Sequence, residues 1–183
     1  MLKVLEQARP SPDFDSLRFE LYQPSNFQSP LAEGISLYLY RVAPNVQRRH
    51  QSPRIDPVSG KRYRPSLGLD LSFLLTAWGK NATRQQDILA WAMRTLEDTP
   101  ILPMGILNTY STQRDTFGVN EAIELVLDSL SLQDLVSIWE IAKDKQQPSV
   151  GYTARMVLID SVIEVIEADL VQTRRFDYTK VPS

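Results

Sequence analysis

Hydrophobic and polar residues alternate most regularly over residues 64–80, RPSLGLDLSFLLTAWGK. Leu67, Leu69, Leu71, Phe73, Leu75 and Ala77 fall on every second position, with Gly68, Asp70, Ser72 and Thr76 between them. A two-residue period predicts a strand with one dry face and one wet face. The same period over Ile35, Leu37 and Leu39, against Ser36, Tyr38 and Tyr40, predicts a strand at 35–43 built from residues that favour β structure. Shorter alternations add a strand at 16–22 (Leu17, Phe19 and Leu21 against Arg18, Glu20 and Tyr22) and one at 121–130 (Ile123, Leu125 and Leu127 against Glu124 and Asp128). Residues 148–169 read as a long β segment, broken or bulged near Asp160.

The period changes to three-and-four over 82–100, where Ile88, Trp91, Ala92, Thr95 and Leu96 stack into one helical stripe. Thr83 and Gln86 have the spacing of a capping box, and Asp98-Thr99-Pro100 marks the stop. A second helix is predicted at 131–144, capped by Ser131 with Asp134, its dry stripe formed by Leu132, Leu135, Val136, Trp139 and Ala142. Residues 101–120 read as a loop with a few apolar anchors, and 170–183 as a polar tail. Between the strands at 35–43 and 67–78 lies a proline-broken segment, about 44–66, far longer than the two to five residues of an ordinary hairpin connection.

The order of elements predicts an α+β fold: a single domain over 1–183, core about 16–168, with a mostly antiparallel sheet, two helices packed on one face and a long hairpin loop. No internal repeat or linker divides it. With 183 residues the chain can bury roughly 70% of the surface its unfolded form exposes, so it needs no metal or disulfide to fold. It has no cysteine, which removes thiol nucleophiles and thiolate metal sites. No apolar run approaches the roughly 18 residues of a membrane span, and the start MLKVLEQARPSPDFDS lacks the apolar core of a secretory signal.

Charge changes this picture locally. The net charge is only −2, which argues against a general nucleic-acid binder. Yet Arg41, Arg48, Arg49, Arg54, Lys61, Arg62 and Arg64, with His50, crowd the 41–64 segment against Asp56 alone. From 115 to 169 the balance turns acidic, including Asp128, Asp134, Glu140, Asp160 and Glu164. A basic arm and an acidic body suit head-to-tail self-association or docking on an acidic partner.

Catalytic equipment is missing from the pattern. His50 is the only histidine and has no carboxylate partner at a defined spacing, so it reads as a solvated loop residue. Neither GxGxxG nor GxxxxGK[ST] occurs. The acidic residues of 121–169 read as solvated strand faces rather than a catalytic pair. Trp91 and Trp139 sit on apolar helix stripes and read as core, whereas Trp78 ends a strand on its wetter face and reads as an interface residue. The expectation is a non-enzymatic chain without cofactor or metal. The alternative is a nucleic-acid-binding module using the basic 41–64 segment, in which only Tyr63 interleaves as a stacking residue.

GISLYLYRVAPNVQRR, a proline-broken loop, RPSLGLDLSFLLTAWG, a helix ending LEDTPIL, LSLQDLVSIWEIA and QPSVGYTARMVLID follow one another in that order. This series, covering about 34–160, resembles the N-terminal domain of tail-terminator, or cap, proteins of phage-tail-like contractile injection systems, of the extracellular virulence-cassette and antifeeding-prophage type. Members of that family begin with a longer helix before the first strand, where MLKVLEQAR alone precedes Pro10 here, and some continue past the last strand. The resemblance implies a structural protein that forms a homo-hexameric ring, ends the inner tube, engages the last sheath ring and stops polymerisation. It implies the inner tube protein and the sheath protein as partners, no membrane, assembly in the cytoplasm and a place in the released particle. Arg48, Arg49, Arg54, Lys61, Arg62, Arg64 and Trp78 are the residues expected to touch those partners.

Overall fold

A computed structural model of the chain describes residues 1–10, 12–46, 52–56, 59–111, 116–118 and 121–165. The chain divides into two compact units, residues 1–50 with 67–159, and residues 51–66 with those from 160 onward.

The first unit is built on a six-stranded sheet. Its strands are β1 (Arg18–Tyr22), β2 (Gly34–Pro44), β5 (Leu67–Trp78), β6 (Ile101–Pro103), β7 (Ala122–Asp128) and β8 (Ser149–Ile159), in the spatial order β1-β2-β5-β8-β7-β6. Two short strands, β3 (Arg54–Ile55) and β4 (Arg62–Tyr63), belong to the second unit. All neighbours in the large sheet are antiparallel except β1, which runs parallel to β2. The α+β, mostly antiparallel architecture expected from the pattern is what the chain adopts. The helices are α1 (Leu2–Ala8), α2 (Ala82–Asp98), α3 (Met104–Tyr110) and α4 (Leu132–Trp139).

β2 and β5 pair as expected, Ile35 opposite Ala77 and Leu37 opposite Leu75, and β8 covers the other edge of β5. The predicted wet face of β5 is not wet. Leu75 and Ala77 join Ile88, Ala92 and Leu96 of α2 and Leu5 of α1 in one core, while their neighbours Leu74 and Trp78 join Trp139, Ala142, Tyr22 and Phe27 in another. Successive strand residues point to opposite faces, so α2 and α4 lie on opposite sides of the sheet rather than together on one. Two of the polar residues between the apolar ones, Ser72 and Thr76, are buried, each beside a half-buried hydroxyl of β8. Ser72 and Thr153 hydroxyls stand 3.4 Å apart, and Thr76 and Ser149 hydroxyls 2.9 Å. Each such pair lets a central strand carry hydroxyls on a covered face without stranding a donor.

The second core is an aromatic cluster. Phe27, set by a 3₁₀ turn over Pro24–Gln28, meets the rings of Tyr22, Tyr38 and Trp139 edge to face at 5.1, 5.3 and 5.5 Å. Such pairs each add about 0.5–1.5 kcal/mol beyond their area.

Two local features tie β1 to the sheet. Gly34 has φ +150°, and a Cβ there would lie 2.1 Å from the Arg18 carbonyl oxygen, so only glycine lets the parallel strand approach. Glu33, its side chain 10% exposed, receives Arg84 Nε at 2.6 Å and Lys80 Nζ at 3.5 Å. Hydrogen bonding to Arg84 holds the Glu33 carboxyl below its ordinary value, and Arg84 also donates to the Asp13 carbonyl and covers the Phe14 ring.

Several boundaries differ from the pattern. The α2 cap is Asn81, whose side chain accepts from Arg84 N at 2.8 Å, rather than Thr83. Ser131 caps α4 with Asp134 as predicted. The segment 101–110 holds β6 and α3 instead of loop. The β8 irregularity sits at Met156, which has φ +66° opposite a register shift at Asp70; the Asp70 carboxylate accepts from Met156 N at 3.3 Å and Asn45 Nδ2 at 2.9 Å. The 166–169 end of the expected β segment and the polar tail lie outside the described residues.

Candidate functional site

Over its described residues 52–56 and 59–66, the long basic segment is not an open loop. Asp56 and Gly60 turn the chain back on itself: Gly60 N donates to the Asp56 carbonyl at 2.9 Å, Ser59 N to the Asp56 carboxylate at 3.0 Å, and Gly60 takes φ +68°, which glycine adopts without strain. β3 and β4 then pair, Arg54 opposite Tyr63 and Ile55 opposite Arg62. The chain after β8 adds a third line of pairing. Arg64 N donates to the Ile163 carbonyl at 2.9 Å, Val165 N to the Arg62 carbonyl at 2.7 Å, and Tyr63 stands opposite Glu164.

Residues directly opposite each other share a face, so this small sheet sorts its side chains. On one face lie Arg54, Lys61, Tyr63 and Glu164. The Arg54 guanidinium covers the Tyr63 ring at 4.8 Å and its Nε is 3.1 Å from the Asp160 carboxylate, whose other oxygen accepts from Ser66 Oγ at 2.6 Å. Lys61 Nζ reaches Glu164 at 3.1 Å, which holds the ammonium above its ordinary value. On the other face lie Ile55, 57% exposed, and Ile163, 50% exposed, with Val165, Arg62 and Arg64 beside them. Among the described residues, none of this unit is a buried hydrophobic residue.

The expected partner-binding residues therefore separate. Arg54 and Lys61 are held by acids of their own chain. Arg62 and Arg64 are exposed on the apolar face. Arg48 and Arg49, like His50, lie outside the described residues. Trp78 is corrected: it is 4% exposed, its Nε1 donates to Ser36 Oγ at 2.8 Å, and its ring packs 6.3 Å from Trp139. A tryptophan at a strand end looks accessible only when the covering elements, here α4 and the turn at Phe27, are left out of account.

Two features of the first unit went unread in the sequence. One is the outer side of α4, where Leu132 is 77% and Val136 48% exposed, with Glu140 one turn further along the same stripe. The predicted dry stripe is real, but the sheet covers only its Leu135, Ile138 and Trp139 side. The other is an apolar groove of about 600 Å³ bordered by Val4, Leu71, Phe73, Ile106, Leu107 and Ile123 on the α2 face of the sheet. Neither surface brings together groups for acid–base or nucleophilic chemistry. Among the described residues no three His, Asp or Glu side chains converge to hold a metal, and no helix is long and apolar enough to cross a membrane. Arg41 and Arg155 line a shallow cleft with Asp70 and Asp128, so neither sign of charge prevails there.

Comparison with known proteins supplies the context. No curated protein matches the chain. A sheath/tube terminator of the extracellular contractile injection system PVC, in its extended state, has the same fold at 12% identity, with a TM-score of 0.63 over 99% of this chain and 61% of its own. The anti-feeding prophage cap, described as a tube terminating cap, is 13% identical, with a TM-score of 0.62 over 96% of this chain and 58% of its own. The chain thus spans about three fifths of the length of either. The family model described as the Pvc16 N-terminal domain matches residues 4–173. With nearly its whole length accounted for by that one model, the chain belongs to the Pvc16 N-terminal domain family.

Proposed function

We propose that the chain is the tube-terminating cap of an extracellular contractile injection system, acting as one terminator domain over its length. The observation that carries this reading is the family match over 4–173, joined to the shared fold of two proteins described as a sheath/tube terminator and a tube terminating cap. In this role six copies close into a ring on the end of the inner tube and engage the last sheath ring, which halts growth and couples sheath to tube. The partners are further copies of the chain, the inner tube protein and the sheath protein.

The physical requirements of a cap fit the molecule. A ring needs unlike surfaces that meet head to tail and close. The chain has an arginine-bearing hairpin and an acid-bearing helix. A cap must also transmit force without deforming, and a sheet packed on both faces is stiff because close-packed interiors compress little. The ion-paired state of Arg54 and Lys61 weakens the nucleic-acid alternative, since cations held by carboxylates release fewer counterions on binding a polyanion.

The test is electron microscopy of particles from cells lacking the gene. Tubes and sheaths of unregulated length, or particles that fall apart, are expected. Particles of normal length and integrity would overturn the reading. At residue level, Arg48 and Arg49 supply charged contacts to the neighbour, tube or sheath. Reversing both should lower particle yield, more so at higher salt because exposed ion pairs are screened. Unchanged yield would remove them from the interface.

A further inference from the structure

The small hairpin sheet is the least self-sufficient part of the molecule. A two-stranded hairpin is marginal in water, and a third strand helps only when it brings a hydrophobic face to bury. This one has such a face and leaves it open: Ile55 and Ile163 are 57% and 50% exposed, with Arg64 at their side. Its other face has settled its charges within the chain through Arg54–Asp160 and Lys61–Glu164. What remains for a partner is an apolar centre with Arg64 beside it, and arginine is enriched at protein interfaces.

The chain itself carries a surface with the opposite charge and the same centre. On α4, Leu132 and Val136 form an open apolar stripe, 77% and 48% exposed, and Glu140 continues it at the next turn. Glu140 forms no ion pair among the described residues. Ile141, just beyond, is 47% exposed. Asp134 stands on the same helix, its carboxylate accepting from the Ser131 hydroxyl at 2.6 Å. Isoleucine with arginine on one surface, and leucine and valine with glutamate on the other, match in both polarity and charge.

We propose that the apolar face of the hairpin unit (Ile55, Ile163, Arg64) docks on the α4 stripe (Leu132, Val136, Glu140) of a second copy of the chain. The contact is head to tail, each copy offering its hairpin to one neighbour and its α4 to the other, as ring closure demands. This deepens the cap reading by naming the contact between copies, and it rests on that reading for ring closure alone. It also changes what the basic arm is for. Two of its cations shape the arm, and the binding centre is apolar.

The purified full chain tests this by sedimentation and light scattering across a concentration series. The wild type should self-associate. Ile163→Asp on the hairpin, or Leu132→Asp on α4, should each weaken association at least about tenfold, the loss expected when a central anchor contributes more than about 1.4 kcal/mol. Mixing these two variants should restore a single contact, because one retains a sound α4 and the other a sound hairpin. The expected product is a heterodimer and nothing larger. Arg64→Glu and Glu140→Arg should each weaken association and the double variant recover it. All these positions are exposed, so circular dichroism and thermal melting of every variant should match the wild type.

A monomeric wild type, variants that associate unchanged, or mixed variants that fail to pair would each overturn the proposal. So would a chain that stays monomeric but loses tube or sheath binding through Ile163→Asp, since that assigns the face to another protein. Failure of the cap reading is seen separately, as normal particles in the deletion strain.

Discussion

The two units of this chain are held together by different physics. The large unit buries two apolar clusters, one on each side of its sheet, and most of its stabilising contacts lie in that burial. Among the described residues, the hairpin unit buries none of its hydrophobic side chains and is held by backbone pairing, a cation over a ring and two ion pairs. Burial grows with area and is not weakened by charge screening; exposed ion pairs are weak and screened. The large unit is therefore held mainly by burial, and the hairpin unit by pairing and charge.

The sharpest way to break this contrast is to attack the scaffold. Trp78→Ala should cost about 3–5 kcal/mol by chemical denaturation, because it empties the centre of the aromatic cluster. A loss under about 1 kcal/mol would return Trp78 to the list of contact residues. Next comes Glu33→Gln, expected to cost about 1–3 kcal/mol as Arg84 loses its charged partner. The folded carboxyl lies below its ordinary value of 4.5, so its contribution is complete above about that pH and lost as pH falls through the folded value. Glu33→Gln should flatten the acid limb of the stability profile, and an unchanged limb would count against the pair.

Met156→Gly should be neutral or stabilise by up to about 1 kcal/mol, since a left-handed residue with a side chain carries strain that glycine relieves. Asp70→Ala, removing the group that caps the same irregularity, should move stability the other way. The smallest global effect belongs to Lys61→Ala. It should leave the unfolding midpoint where it is and speed amide exchange only at hairpin sites such as Arg64 and Val165, as added salt should in the wild type. If added salt instead loosened the large unit first, the division of labour between the units would be wrong.

The parts of the fold legible in the sequence were those where local pattern and burial agree. The 35–43 and 67–78 strands and the Ser131–Asp134 cap are of this kind. The face assignment was not legible, because Ser72 and Thr76 look wet until their partners Thr153 and Ser149 are brought alongside. Nor were β6 and α3 legible, each too short to show a period, with α3 starting at Met104 directly after Pro103 ends β6. At the candidate site the basic cluster was visible but its state was not. Lys61 meets Glu164 across 103 residues of sequence, and Ser66 meets Asp160 across 94, distances over which no spacing rule operates. The exposed stripe of α4 was hidden for another reason. Periodicity reports which side of a helix is apolar, not how much of that side its own chain covers.

The position of β8 sets a timetable for synthesis. β5 lies at the middle of the sheet, yet its second neighbour arrives some eighty residues later, as the 81-residue separation of Ser72 and Thr153 records. While the ribosome makes everything between, β5 has β2 on one edge and an open edge on the other. An open apolar edge is a template for any passing strand. The nascent chain is thus most prone to mispairing just before residues 149–159 emerge, and a pause in translation ahead of that segment would prolong the exposure.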